Sequence, residues 1–276
     1  MQNRFLKSPM NPAKRPMPAT LNALSKANKP MLPLQEKEFA VSTPDGKTIY
    51  GILTQSPIDT RKLLILSHGL TGCMDEHMHM EAKRFFSNNG YDVVRFNYYG
   101  PQDDARKMEE TTLALHAQDL NQICDHFRPN YDKLFIAGHS YGGLTLVVAN
   151  PLATALSFWD SSFTPFKGFM EKEAKKLDGT PFYTIGWGTS VLMGAAMYDE
   201  ALEMDSKADA LAKKITTPSQ VILAGDQSEN PVRMALYEAL ACPRQLEEID
   251  RADHCFTHGD TLYTLFKRTL SWFEQF

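Results

Sequence analysis

The sequence predicts an α/β fold: a mostly parallel central sheet with helices on both faces and a small insertion near the middle of the chain. Three observations predict it. Short continuous apolar runs such as Leu63-Leu64-Ile65-Leu66-Ser67 read as strands buried on both faces. These runs alternate with helical stretches, the order expected of parallel strands joined by crossover helices. His68-Gly69, Ser140, Asp160, Asp226 and His254 each fall just after a predicted strand. In open sheets of this kind, ligands bind beyond the carboxyl ends of the strands.

The elements follow in order. Residues 36–43 and 47–54 form a hairpin about Pro44-Asp45-Gly46, a strong turn signal. The Leu63–Ser67 strand runs into His68-Gly69-Leu70-Thr71-Gly72, and a helix over about 76–89 closes at Gly90. A strand at Asp92–Phe96 precedes a polar loop. A helix over about 109–127 then carries Leu113, Leu120, Ile123 and Phe127 on one face. The strand beginning at Lys133 and its helix to Asn150 lead to a strand at Ala153–Phe158 that ends at Trp159-Asp160. Residues 161–214 break the rhythm, with Phe163, Phe166, Phe169, Phe182, Tyr183, Trp187 and Tyr198 set among glycines and charges. This segment is expected to be a cap subdomain over a pocket. Strands resume at Gln220–Ala224 and near 245–249, with helices near 231–240 and 260–276.

The chain has 276 residues, 43% apolar and 22% charged, which fits one large globular domain. A net charge of −4 gives no reason to expect nucleic acid as a partner. The expected partner is a small molecule. No apolar run is long enough to span a bilayer. Cys73, Cys124, Cys242 and Cys255 have no framework spacing, so a reducing, cytoplasmic setting is expected. Residues 1–35 are expected to be a basic leader outside the fold, since Arg4, Lys7, Lys14, Arg15, Lys26 and Lys29 are met by no acid in the first thirty positions. The domain proper is expected over 36–276.

The chemistry centres on Gly138-His139-Ser140-Tyr141-Gly142, which joins an apolar strand to an apolar helix. That context turns a weak G-x-S-x-G pattern into a nucleophile elbow. A serine hydroxyl hardly ionises alone and needs a base within hydrogen-bond reach. His254, in Ala252-Asp253-His254-Cys255-Phe256, is the candidate, and His258 the nearer competitor at the start of the last helix. Candidate donors for an oxyanion are the backbone N–H groups of Tyr141 and of Leu70. His77 and His79 point to different helix faces, so a solvated or rim position is expected rather than a metal pair. Cys73 and Cys255 are expected to be packing residues. No cofactor or metal is expected.

On four stretches the chain resembles the α/β-hydrolase superfamily, and within it the small bacterial cinnamoyl and feruloyl esterases. The stretches are residues 68–76, 94–100, Gly138-His139-Ser140-Tyr141-Gly142-Gly143 and 252–256. The resemblance implies Ser140 as nucleophile, His254 as base, Leu70 and Tyr141 as oxyanion donors, and a cap where the aromatic insertion lies. It implies an acid three residues after the glycine that ends the seventh strand. That glycine is Gly225, but the position holds Ser228, flanked by Asp226 and Glu229. Asp160 is a further candidate, since some members of the superfamily carry the acid after the sixth strand. The candidates rank Asp160, Asp226, then Glu229. The expected activity is cleavage of a carboxylic ester through an acyl-enzyme. A thioesterase, peptidase or acyltransferase would use the same groups, and a non-catalytic binding protein on this scaffold is the alternative of a different class.

Overall fold

The computed structural model describes residues 33–186, 190–225 and 230–276. The leader expected over 1–35 lies outside these except for its last three positions, of which Gln35 already opens the first strand. Leu34–Phe276 forms one compact unit.

The hairpin forms as expected, with β1 (Gln35–Ser42) antiparallel to β2 (Thr48–Gln55). β3 (Lys62–Ser67), α1 (His77–Asn88) and β4 (Asp92–Phe96) follow, then α2 (Leu113–Phe127). The helix expected from about 109 is a 3-10 turn over Met108–Glu110 and then α2. The break falls at Thr112, whose side chain accepts the Leu115 N–H at 3.1 Å and so caps a fresh helix. β5 (Lys133–His139), α3 (Tyr141–Ala149) and β6 (Ala155–Trp159) lead to the insertion.

There, a π-turn (Phe166–Met170) runs into α4 (Glu171–Glu173), followed by β7 (Ala174–Lys176), β8 (Phe182–Gly186), β9 (Ser190–Gly194) and the long α5 (Ala195–Ala212). β10 (Ser219–Ala224), α6 (Pro231–Ala239), β11 (Arg244–Ile249) and α7 (Thr261–Phe273) complete the chain.

Among the described residues the main sheet has eight strands in the order β1-β2-β4-β3-β5-β6-β10-β11, and β7-β8-β9 form a separate three-stranded antiparallel sheet. From β4 to β11 every pairing in the main sheet is parallel. Two-residue alternation explains the two apolar layers. Leu63 and Ile65 of β3 point to the face covered by α2 and α3, while Leu64 and Leu66 point to the face covered by α1 and α7. All four are fully buried, each worth about 2 kcal/mol relative to exposure. The insertion joins the first layer through Met170, Ile185, Met193 and Met197, which are fully buried there.

Buried polar atoms on the second face tie α7 to β6. Trp159 Nε1 donates to Ser157 Oγ at 3.0 Å and to Thr269 Oγ1 at 2.9 Å, and Trp272 Nε1 donates to the Leu156 carbonyl at 3.0 Å. This register holds the end of β6, and hence Asp160, against the segment that carries His254.

Candidate functional site

Ser140 sits between β5 and α3 at φ +53°, ψ −120°, a conformation an L-residue adopts only under constraint. The constraint is visible in the hydrogen bonds. The Ser140 N–H donates to the Trp159 carbonyl, and the Ser140 carbonyl accepts from Gly143 and Ser162, each at 3.0 Å. The glycines around it are sterically required. A Cβ on Gly138 would lie 2.7 Å from the Gly142 carbonyl oxygen, and one on Gly142 would collide with the Ser67 carbonyl. The chain crosses β3 so closely at this turn that a methyl group does not fit.

Three side chains meet above this turn. His254 Nε2 lies 2.9 Å from Ser140 Oγ. On the other side of the ring, His254 Nδ1 donates to Asp160 Oδ2 at 2.6 Å. Asp160 follows β6 in a left-handed conformation, φ +42°, and is 1% exposed. Its N–H donates to the Ile222 carbonyl at 2.7 Å, and its Oδ1 accepts the Ala224 N–H at 2.8 Å. With Nδ1 protonated against the carboxylate, Nε2 is free to accept the serine proton. The structure thus brings together Ser140, His254 and Asp160. Asp226 and Glu229 lie outside the described residues.

The loop after β3 lies against the same serine. A Cβ on Gly69 would stand 3.2 Å from Ser140 Cβ, so the chain approaches as closely as glycine permits. Leu70, next in sequence, is buried, and Tyr141 opens α3 directly after Ser140. The His258 carbonyl accepts the Thr261 N–H at 3.1 Å at the start of α7.

Several residues support the site in ways the sequence reading did not assign. His139 Nε2 donates to the His254 carbonyl at 2.8 Å and so fixes the backbone of the loop that presents the imidazole. His68 Nδ1 donates to the Gly69 carbonyl at 2.8 Å, and its Nε2 accepts the Tyr98 N–H at 3.2 Å. Tyr98 Oη and Ser67 Oγ are 2.6 Å apart, and Ser67 Oγ donates to the Gly142 carbonyl at 3.1 Å. Arg95, 1% exposed, holds the end of the loop through Met74 O at 2.9 Å, Asp75 Oδ1 at 2.7 Å and Glu36 Oε1 at 3.0 Å. The only available clue was position: these polar residues lie inside or beside otherwise apolar strand ends.

Two expectations need correction. His77 is exposed, but His79 on the same helix is fully buried beside Glu76, 3.4 Å away. Helical spacing of two residues does separate their faces, and one of those faces is core. Cys73 and Cys255 are exposed rather than packed, because both lie in loops at the rim, while Cys124 and Cys242 are buried. All four thiols are free. Among the described residues no three His, Cys, Asp or Glu side chains converge as a metal-binding set, and no helix is long and apolar enough to cross a membrane.

Burial governs the titration of this region. It lowers the pKa of His68 to about 4 and of His139 to about 3, and lowers those of His79 and His116 well below the ordinary value. His254 is lowered to about 4, first by burial and then by the Arg233 guanidinium, against Asp253, which works the other way. Burial raises the Glu76 carboxyl to about 7.

The sign of the stability effect follows. Below about pH 6.5 the unfolded chain binds protons that the buried neutral histidines of the folded chain refuse. Their contribution is complete above pH 6.5 and is lost as pH falls through the lowered values of the folded state. Glu76 opposes this, since between about pH 7 and 4.5 the folded state holds the proton that the unfolded state has lost. Four buried histidines outweigh one carboxyl. The urea midpoint is therefore expected to be lower at pH 5 than at pH 7, and equal midpoints at the two pH values would contradict this account.

Comparison with known proteins places the fold. A family model described as the alpha/beta hydrolase fold matches residues 62–149. No curated protein sequence matches the chain. Among solved structures, the esterase domain of a Rhodothermus marinus protein is 18% identical with a TM-score of 0.67, covering 86% of this chain and 97% of that one. Est1E from Butyrivibrio proteoclasticus, in a structure with ferulic acid bound, is 18% identical with a TM-score of 0.68, covering 84% of this chain and 98% of that one. A dienelactone hydrolase from Anabaena variabilis is 15% identical with a TM-score of 0.64, covering 88% of this chain and 98% of that one. The chain has the α/β-hydrolase fold.

Proposed function

We propose that the chain is a serine hydrolase that cleaves carboxylic esters through an acyl-enzyme. The observation that carries the reading is the continuous hydrogen-bonded relay from Ser140 through His254 to Asp160. In this reading Ser140 Oγ attacks the ester carbonyl as His254 Nε2 takes its proton. The tetrahedral oxyanion is held by the N–H groups of Leu70 and Tyr141, donors worth about 3 kcal/mol each in the transition state. The imidazolium, paired with Asp160, returns the proton to the leaving alcohol. A water molecule, deprotonated by the same nitrogen, then attacks the acyl-enzyme, and His254 returns that proton to Ser140 Oγ as the acyl–oxygen bond breaks and the acid leaves.

The insertion acts as the cap expected over 161–214 and supplies the acyl pocket. Its aromatic residues support that reading. Tyr183 and Tyr198 stack with centroids 4.1 Å apart, Phe166 meets Tyr198 edge-on at 5.5 Å, and Phe169 meets Tyr141, the neighbour of Ser140, at 6.4 Å. Trp187 lies outside the described residues. A small or medium acyl group with an apolar or aromatic part fits such a lining. The ferulic acid bound by the structural neighbour Est1E points the same way. The basic leader expected over 1–35 is proposed to stop short of β1, which takes in Gln35, and the four free thiols fit a cytoplasmic setting.

Assaying aryl esters, acyl thioesters and acyl amides side by side tests the substrate class. Esters with an aromatic or medium acyl part are expected to turn over fastest. A preference for thioesters or amides would reassign the activity within acyl transfer.

A further inference from the structure

Asp160 carries its charge almost out of reach of water, at 1% exposure. Its short side chain projects from a left-handed residue at the end of β6. One oxygen, Oδ2, faces His254 Nδ1. The other, Oδ1, accepts the Ala224 N–H and pairs with Nη2 of Arg233 from the first turn of α6. We propose that Arg233 is a positioning residue for the Asp160–His254 pair, anchoring the far carboxylate oxygen so that Oδ2 stays aimed at His254 Nδ1. The catalytic meaning of this contact rests on the serine-hydrolase reading, while the contact itself does not.

The local sequence builds the anchor. Pro231 occupies the first position of α6, where a missing N–H costs nothing. The Asn230 side chain accepts the Val232 N–H at 3.1 Å, and the Asn230 carbonyl accepts the Arg233 N–H at 3.0 Å. The turn that carries the guanidinium is therefore capped and fixed. Arg233 is itself mostly buried, with 27% of its side chain exposed, so the charge meets Asp160 with little screening.

A cation is needed here for a physical reason. A neutral imidazole and one backbone N–H do not compensate a desolvated carboxylate, whose burial costs several kcal/mol. A planar guanidinium supplies a permanent charge in a fixed direction. It also has a cost. Among the described residues, the charged groups around His254 are Asp160 after β6, Arg233 from α6 and Asp253 from its own loop, with His139 from β5 beneath. Among them, Arg233 disfavours the imidazolium. The arginine thus holds the carboxylate oriented while it disfavours the charged form of the base.

The test follows the His254 imidazole by NMR through a pH titration in the wild type, Arg233→Met and Arg233→Lys, with ester turnover measured in parallel. Removing the charge is expected to raise the His254 titration by about one unit or more, the size of effect a neighbouring charge exerts. It is expected to lower kcat by up to about a hundredfold through loss of aim, with KM nearly unchanged. Arg233→Lys is expected to keep the low titration and recover part of kcat. A folded Arg233→Met protein whose His254 titrates as in the wild type, with unchanged kcat, overturns the proposal. If Arg233→Met does not fold, the guanidinium 15N resonances of the wild type decide. Slowly exchanging protons that shift as His254 titrates support the anchor, and freely averaged, unperturbed ones overturn it. Covalent labelling of Ser140 by a fluorophosphonate separates the two ideas, because a protein that is not labelled loses the hydrolase reading whatever the titration shows.

Discussion

On the proposed function, Ser140→Ala is expected to lower ester turnover by roughly six orders of magnitude, the cost of removing the proposed nucleophile of an interdependent relay. The fold should survive, because the hydrogen bonds that shape the turn come from the backbone of Ser140 and not from its hydroxyl. Alanine keeps the same Cβ beside Gly69 and the same demand on φ. The loss should therefore appear in kcat, with the urea midpoint little changed. Non-additivity is a sharper signature than the size of the loss. Adding His254→Ala to Ser140→Ala should cost almost nothing more, since the base has no proton left to move. A double variant far worse than Ser140→Ala alone would mean that His254 acts on some other group.

Asp160→Asn is expected to lower kcat by about four orders of magnitude. The amide that replaces the carboxylate can present an N–H to His254 Nδ1. The ring then holds its proton on Nε2, where it faces Ser140 as a donor and cannot act as a base. A stability cost accompanies the kinetic one, because Arg233 loses its anionic partner. Breaking a buried pair from one side costs about 3 to 5 kcal/mol. Turnover must therefore be normalised to folded protein. Asp226→Asn and Glu229→Gln serve as controls and are expected to stay within about tenfold of the wild type, since neither is needed once Asp160 occupies Nδ1. The reverse ranking would move the acid to the segment after β10.

The fold was legible because burial on both faces of a sheet leaves an uninterrupted apolar mark. Leu63–Leu66 and Leu134–Ala137 could hardly be anything but central strands. The serine turn was legible because the close crossing of β3 and α3 admits only glycine at 138 and 142. His254 was legible from its place between the last strand and the last helix.

The proposed acid was harder. The sequence ranks Asp160 ahead of Asp226 by a narrow margin, because a carboxylate after β6 and one after β10, neighbouring strands of the sheet, can each reach the same histidine. What distinguishes Asp160 in the structure is a left-handed backbone, a bond to Ala224 N and a contact with Arg233, 73 positions downstream by the sequence numbers. None of these leaves a local pattern. His79 failed for a related reason. Helical phase separates the faces of α1 but does not say which of them the sheet covers. His68 and His139 read as neighbours of motif residues, and only the three-dimensional contacts reveal that His68 bridges Gly69 and Tyr98 and that His139 holds the His254 carbonyl.

The most direct measurement is the reaction of the folded protein with a fluorophosphonate, with the site of modification located by mass spectrometry. The relay predicts one adduct per chain on the peptide containing Ser140, formed far more slowly in His254→Ala and absent in Ser140→Ala. A folded protein that forms no adduct at Ser140, or forms it at the same rate without His254, would contradict it.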